Sequence, residues 1–383
     1  MDAWTPKAKH VSGYIQECYD ASANWHSLSS FFESHGYFLY DYPSLQKGAM
    51  PPKSPLPSAD ISASSDPYPY ARLTTSEDEH LAFPFIQSMR VWPARDTQGR
   101  ESILRCVAET YGLAWGRSQI PSRLVMPASE SDELEVYKRL NSPQARQDPR
   151  NHTVPVLEWL EHDGACVHRN AEVRWDIIAL ARPQVFFRNV SELFAVAETL
   201  FEGLEFLHEK RIAHRDIFET NVVMNAIVDV DAYYYDLRDP AKVRYAYIDY
   251  DRSLALPEDT DIRTASTPRL MGAQNCYMRV KEGPCNPFKD DVRALAYTLE
   301  RSIRHIEDAV PEIGTFFEKL VRGEESAIPT ASDALETLRN ILSRLSSSQL
   351  EHAPTGLFWY PGRIKSLEDD PEAWDALTRF RNN

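Results

Sequence analysis

The strongest constraint on this chain is a polar loop set between a long amphipathic stretch and an apolar β-type run. From Ser191 to Lys210, Leu193, Ala197, Leu200, Leu204 and Leu207 recur at 4-3-4-3 spacing, one continuous stripe of a helix. Ser191 reads as its N-cap. The loop follows as His214-Arg215-Asp216-Ile217-Phe218-Glu219-Thr220-Asn221, and Val222-Val223-Met224-Asn225 then reads as a strand. A potential base, Asp216, stands five residues before an amide, Asn221. One tight loop lets both side chains point into the same cleft.

Composition narrows the classes. The chain has 383 residues, enough for two or three compact units. Its 18 Tyr, 16 Phe and 8 Trp provide ample core material, so global disorder is not expected. A formal net charge of -15 with no long Lys/Arg run argues against nucleic acid as a partner. The five cysteines are scattered without a CxxC pair. Reduced thiols in an intracellular protein, cytoplasmic or nuclear, fit that usage better than a disulfide or zinc framework. The N-terminus opens no apolar signal core, and no run of about 18 apolar residues predicts a membrane span.

Along the chain, residues 1–47 read as helical and aromatic, with a short strand at Gly36–Tyr40, and are expected to pack on the main body. Residues 48–80 are rich in Pro and Ser and read as a linker. Met89–Arg95 and Ser102–Val107 flank a Gly-containing turn and predict a hairpin. Ser131–Leu140 predicts a capped helix with acids in its first turn. Val154–Leu160 and Trp175–Leu180 look like the next two strands. After the polar loop comes an acidic, Tyr-rich insertion (226–242). A strand at Val243–Ile248 then ends at Asp249-Tyr250-Asp251. Further helices are expected from Asp291 and over roughly 331–345. The tail beyond is polar, with Trp359 and Trp374 as anchors.

The loop matches the H-R-D-L-x-x-x-N catalytic loop of protein kinases, with Ile217 in the Leu place, and from about 89 to 345 the order of parts resembles that family, in particular its divergent fungal kinase-like members. The resemblance implies a two-lobed α+β fold with a small β-rich N-lobe and a larger, mainly helical C-lobe. It divides the chain into an extension (1–85), an N-lobe (86–182), a C-lobe (183–345) and a tail (346–383). It implies ATP and Mg2+ as cofactors and a protein substrate or partner. Asp216 takes the place of the catalytic base, and Arg215 that of the arginine that meets an activation-segment phosphate. Asn221 and Asp249 stand where magnesium is held. Arg105 stands in the V-A-I-K lysine position. Its partner on the first helix is Glu133 or, failing that, Glu135. Asp291 matches the buried aspartate that opens the central helix, and Ile328–Leu335 resembles the R-P-T-A segment. Ser253, Thr260, Thr264, Ser266 and Thr267 fall in the activation segment.

Five departures accompany these matches. Arginine replaces lysine at 105, and no G-x-G-x-x-G precedes it. Phe218 stands where many Ser/Thr kinases carry a lysine that meets the transferred phosphate. Asp251 replaces the glycine of D-F-G and with it that residue's backbone freedom. A-P-E is at best Val280-Lys281-Glu282, and its usual arginine partner is here Ile328. Three readings follow: a protein Ser/Thr kinase, a pseudokinase serving as scaffold or nucleotide-binding module, and a small-molecule phosphotransferase of similar fold.

Overall fold

The computed structural model describes residues 22–23, 25–40, 72–73, 90–99, 101–108, 131–162, 165–170, 187–227, 237–270, 282–361 and 363–366. The chain divides into two compact units: residues 1–142 with 154–174, and residues 143–153 with 175–383.

In the first unit, a short helix α1 (Ser29–Ser34) precedes β1 (Tyr37–Leu39). The expected hairpin forms as β2 (Val91–Asp96) and β3 (Glu101–Ala108). Helix α2 (Asp132–Leu140) follows, and β4 (Val156–His162) and β5 (Ala165–Asn170) complete the sheet. The strands lie in the order β1-β2-β3-β5-β4, all antiparallel. The strand expected at 175–180 lies outside the described residues, and β5 is the neighbour of β4. Side chains alternate across β3. Leu104 and Cys106 enter a buried cluster with Trp92, Ala94 and Leu160, which Trp25, Phe32 and Tyr37 complete. The N-terminal aromatic segment therefore packs as expected, and β1 adds a strand on β2. Arg105 lies on the opposite face from Leu104, on a strand laddered on both sides: it pairs with Val91 of β2 and His168 of β5.

Helix α2 starts where its sequence says it should. The Ser131 hydroxyl accepts from the Leu134 N–H at 3.1 Å and donates to the Val107 carbonyl at 2.9 Å, joining helix cap to β3. Asp132, Glu133 and Glu135 occupy the first turn, and Lys138 and Arg139 the last, matching the helix dipole.

The second unit begins with the short α3 (Pro143–Gln147) and is built on α4 (Val190–Glu209). All five residues of the α4 stripe are fully buried. Its cap is Asn189, not Ser191: the Asn189 side chain accepts from the Glu192 N–H, while the Ser191 hydroxyl donates to Asn189. Two small strand pairs follow. β6 (Ile212–Ala213) pairs with β9 (Leu254–Ala255), and β7 (Val222–Met224) pairs with β8 (Tyr245–Tyr247). A third pair joins β10 (Thr267–Pro268) to β11 (Pro284–Cys285).

Helix α5 runs over Pro287–Ile303, so it starts four residues before Asp291. Asn286 caps it by accepting from the Phe288 and Lys289 N–H groups, and Pro287 takes the first helical position. Asp291 therefore sits in the second turn and does not open the helix. Helices α6 (Pro311–Arg322) and α7 (Ala331–Leu342) complete the core, the latter closed by a Thr330/Asp333 capping box. The tail is not simply polar: β12 (Gly356–Tyr360) and β13 (Arg363–Ser366) form a hairpin. Trp359 anchors it, with the Arg304 guanidinium 4.1 Å from its ring centroid and its indole N–H donating to Glu307. Trp374 lies outside the described residues. Cys106 and Cys285 carry free thiols.

Candidate functional site

The polar loop is held from beneath by one carboxylate. Asp291, 1% exposed, accepts the backbone N–H of His214 through Oδ2 and that of Arg215 through Oδ1, each at 2.7 Å. His208 from α4 lies 3.3 Å from the same Oδ2. Those bonds hold Arg215 at φ 65°, a left-handed conformation that costs a bulky residue on the order of 1–2 kcal/mol. His214 is fully buried. Its Nε2 contacts the Ile248 carbonyl at 3.0 Å, and its ring lies 5.0 Å from that of Tyr250. Tyr250 is itself 1% exposed. Tyr247 donates its hydroxyl to the Leu200 carbonyl, and burial, then Asp291, holds its pKa well above the usual phenol range. His214 is thus packing that ties the loop to the strand end.

That tie brings Asp216 to Asp249. The Asn221 amide nitrogen donates to the Asp216 carbonyl at 2.8 Å and to Asp216 Oδ2 at 3.2 Å. A carbonyl can only accept, so this bond fixes which end of the amide is nitrogen and leaves its oxygen as the hard donor. The Asn221 carbonyl accepts the Ile248 N–H at 3.1 Å, one residue before Asp249. Asp249 is also left-handed, at φ 65°. Among the described residues, only Arg211, Arg215 and Asp249 are non-glycine residues with positive φ. Asp251 is not one of them, so the loss of glycine there carries no such backbone strain. Carboxylate oxygens of Asp216, Asp249 and Asp251 all lie within 4.8 Å of one another, and all three residues are half-buried.

Asp216 has a further neighbour. Arg252 Nη1 lies 3.3 Å from Asp216 Oδ1, the oxygen opposite the one Asn221 contacts. In the sequence Asp251 stands out only in place of the D-F-G glycine, and Arg252 does not stand out at all. The D-x-D spacing beside Asp249 was the available signal for Asp251. Nothing in the sequence alone ties Arg252 to a residue 36 positions earlier.

In the first unit the structure resolves the choice between two glutamates. Arg105 Nε donates to Glu133 Oε1 at 2.7 Å, while Glu135 pairs with Arg139 one helical turn on. A second guanidinium joins it: Arg90 Nη1 donates to Glu133 Oε2 at 2.8 Å. The Cys106 N–H also bonds to the Arg90 carbonyl, which holds the Arg90 backbone against β3.

The activation-segment expectations divide. Ser253 is 3% exposed and donates to the His214 carbonyl, so it is part of the loop's support. Thr264 and Ser266 are exposed. Arg215 Nη2 donates to the Pro268 carbonyl at 3.2 Å. Next to Pro268, Arg269 bonds Asp290 and Glu325, each at 2.6 Å. Asp290, then Glu325, raises its pKa above the ordinary arginine value against the opposing effect of burial. The segment is thus tethered by its own arginine to acids on α5 and ahead of α7, in a chain where Ile328 cannot supply a cation.

No protein-family model matches the chain. It is 27% identical over 216 residues to serine/threonine-protein kinase ssp1 of Schizosaccharomyces pombe (strain 972 / ATCC 24843), covering 53% of this chain and 29% of that protein. It is 29% identical over 169 residues to Crinkler effector protein 8 of Phytophthora infestans, covering 44% of this chain and 24% of that protein. The chain thus spans less than a third of the length of these curated relatives. No helix among the described residues is long and apolar enough to cross a membrane.

Proposed function

We propose that this chain is an ATP- and magnesium-dependent phosphotransferase of the protein-kinase type, acting on protein Ser or Thr hydroxyls. The observation that carries the reading is the meeting of Asp216, on a loop pinned by Asp291, with Asp249 and Asp251 from the following strand end. Asp216 is the base that takes the hydroxyl proton, and Asn221 positions it. Arg105, oriented by Glu133, is the cation assigned to the α- and β-phosphates. Arg215 links the loop to the activation segment.

Hard oxygen donors suit Mg2+ in preference to softer metals, so the donor set fits the ion. Asp249 and the Asn221 oxygen are the assigned ligands, with Asp251 beside them. The bound ion supplies charge neutralisation on the phosphates. The protein's own part is positioning: Asn221 fixes the Asp216 carboxylate and Asp291 fixes the His214–Arg215 backbone that leads into Asp216. The similarity to a Ser/Thr kinase supports the acceptor class.

The pseudokinase reading is favoured by one observation: Phe218 brings no charge to the loop. A single experiment separates the readings. The chain is incubated with Mg2+ and γ-labelled ATP, with casein as acceptor, beside Asp216→Asn. Label on casein Ser or Thr, lost in Asp216→Asn, is the expected result. ATP binding with no transfer to casein would leave the scaffold reading. Transfer to aminoglycosides or choline but not casein would favour a small-molecule phosphotransferase.

A further inference from the structure

We propose that Arg252 is the cation that contacts the transferred phosphoryl group, taking over the charge that position 218 lacks. The inference rests on the phosphotransferase reading above. If Asp216 accepts the proton of a hydroxyl that attacks the γ-phosphorus, the phosphoryl group lies one hydroxyl away from the Asp216 carboxylate. Arg252 Nη1 is 3.3 Å from Asp216 Oδ1, so its guanidinium is within reach of that group's oxygens. The side chain is 20% exposed, open enough to meet a ligand and buried enough for its charge to count. A guanidinium fork carries five N–H donors and matches phosphoryl oxygens.

Position 218 is used differently. Phe218 lines a cavity of about 920 Å³ together with Glu219, Tyr297, Glu300, Arg301 and Trp359, and brings no charge to it. Arg252 reaches Asp216 from the strand end instead, directly after Asp251. Its charge also offsets the carboxylates of Asp216, Asp249 and Asp251, whose negative charge would otherwise repel an incoming polyphosphate.

In the step itself, the substrate hydroxyl oxygen forms a bond to the γ-phosphorus. The bond from that phosphorus to the β–γ bridging oxygen breaks, and its electron pair leaves on ADP. The hydroxyl proton passes to the Asp216 carboxylate. Arg252 donates N–H groups to the non-bridging oxygens as they cross, which places its contribution in the transition state and so in kcat.

The test measures casein phosphorylation by the full chain with Mg2+ and ATP, together with melting curves, for wild type, Arg252→Ala, Arg252→Lys and Arg252→Ala/Phe218→Lys. Arg252→Ala is expected to lower kcat on the order of 10²–10³-fold with KM for ATP little changed. Arg252→Lys and the Phe218→Lys double variant are expected to recover part of that loss. Activity in Arg252→Ala equal to or above wild type would overturn the proposal and make the ion pair a latch on the base or a bystander. A loss that neither lysine variant recovers would overturn it in favour of a structural role. A wild type that turns over no ATP at all removes the phosphotransferase reading, and Arg252's role falls with it.

Discussion

Two charge clusters of opposite character lie in the two units. In the β-rich unit, Arg90 and Arg105 share the single carboxylate of Glu133, and all three residues are at most 7% exposed. In the helical unit, the carboxylates of Asp216, Asp249 and Asp251 gather, one guanidinium comes to meet them, and every group is only half-buried. Burial decides what each can do. A closed cluster in which one carboxylate bridges two guanidiniums fixes the geometry of strand and helix, and removing the carboxylate removes the charge that both arginines share. A half-open acidic cluster keeps its repulsion available to a cation that solvent can deliver. The first cluster is therefore read as architecture that holds Arg105 in place, and the second as the reactive centre.

Mutations should separate the two clusters. Asp216→Asn is expected to lower phosphotransfer by about 10²–10⁴-fold, the usual span for a general base, while leaving the melting curve of the protein in place. Glu133→Ala should do the reverse in kind. It removes the carboxylate that two buried guanidiniums share, and urea denaturation should show the β-rich unit losing about 3–5 kcal/mol. A change below 1 kcal/mol there would mean that the pair is solvated and the contrast false. Asp291→Ala tests the support of the acidic site. It leaves the His214 and Arg215 N–H groups without their acceptor, at about 1–3 kcal/mol each. Faster amide exchange at those two residues is the direct readout.

Stability should also depend on pH. Burial pushes His305, on the α5–α6 connection, down to about 4. Burial also lowers His152, against the pull of Glu202. A histidine depressed below its unfolded value of 6.5 is neutral in both states above that pH. Between 6.5 and about 4 only the unfolded state takes up the proton. Stability should thus be flat above pH 6.5 and fall as pH drops to 4, by up to about 3 kcal/mol from His305. His305→Asn should flatten that slope in the helical unit.

These contrasts also show what sequence could and could not reveal. The α4 stripe, the loop after it and the hairpin of β2 and β3 were legible because each is written in local periodicity or spacing. The α5 start was misplaced because the apolar face begins near Asp291, whereas the cap at Asn286 and Pro287 sets the boundary. The Asn189 cap was hidden for a similar reason: Ser191 is an equally good capping residue, and only the hydrogen bond shows that it serves Asn189. Helix α6 and the β12–β13 hairpin were missed. Within the site, Asp216, Asn221 and Asp249 could be read from motif spacing. Arg90 on Glu133, Arg252 on Asp216 and Arg269 on Glu325 could not, because each pair joins residues at least 36 positions apart through strand or loop register.

The central claim is that the acidic cluster is a working metal–nucleotide site. It is tested most directly by a thermal-shift titration with ATP, with and without Mg2+, on wild type and Asp249→Asn. A ligand bound only by the folded state at about 100 times its dissociation constant adds roughly 2.7 kcal/mol, enough to move the melting curve. The account predicts an upward shift that needs Mg2+ and disappears in Asp249→Asn. No shift at millimolar ATP in a folded sample, or one indifferent to both Mg2+ and Asp249, would contradict it.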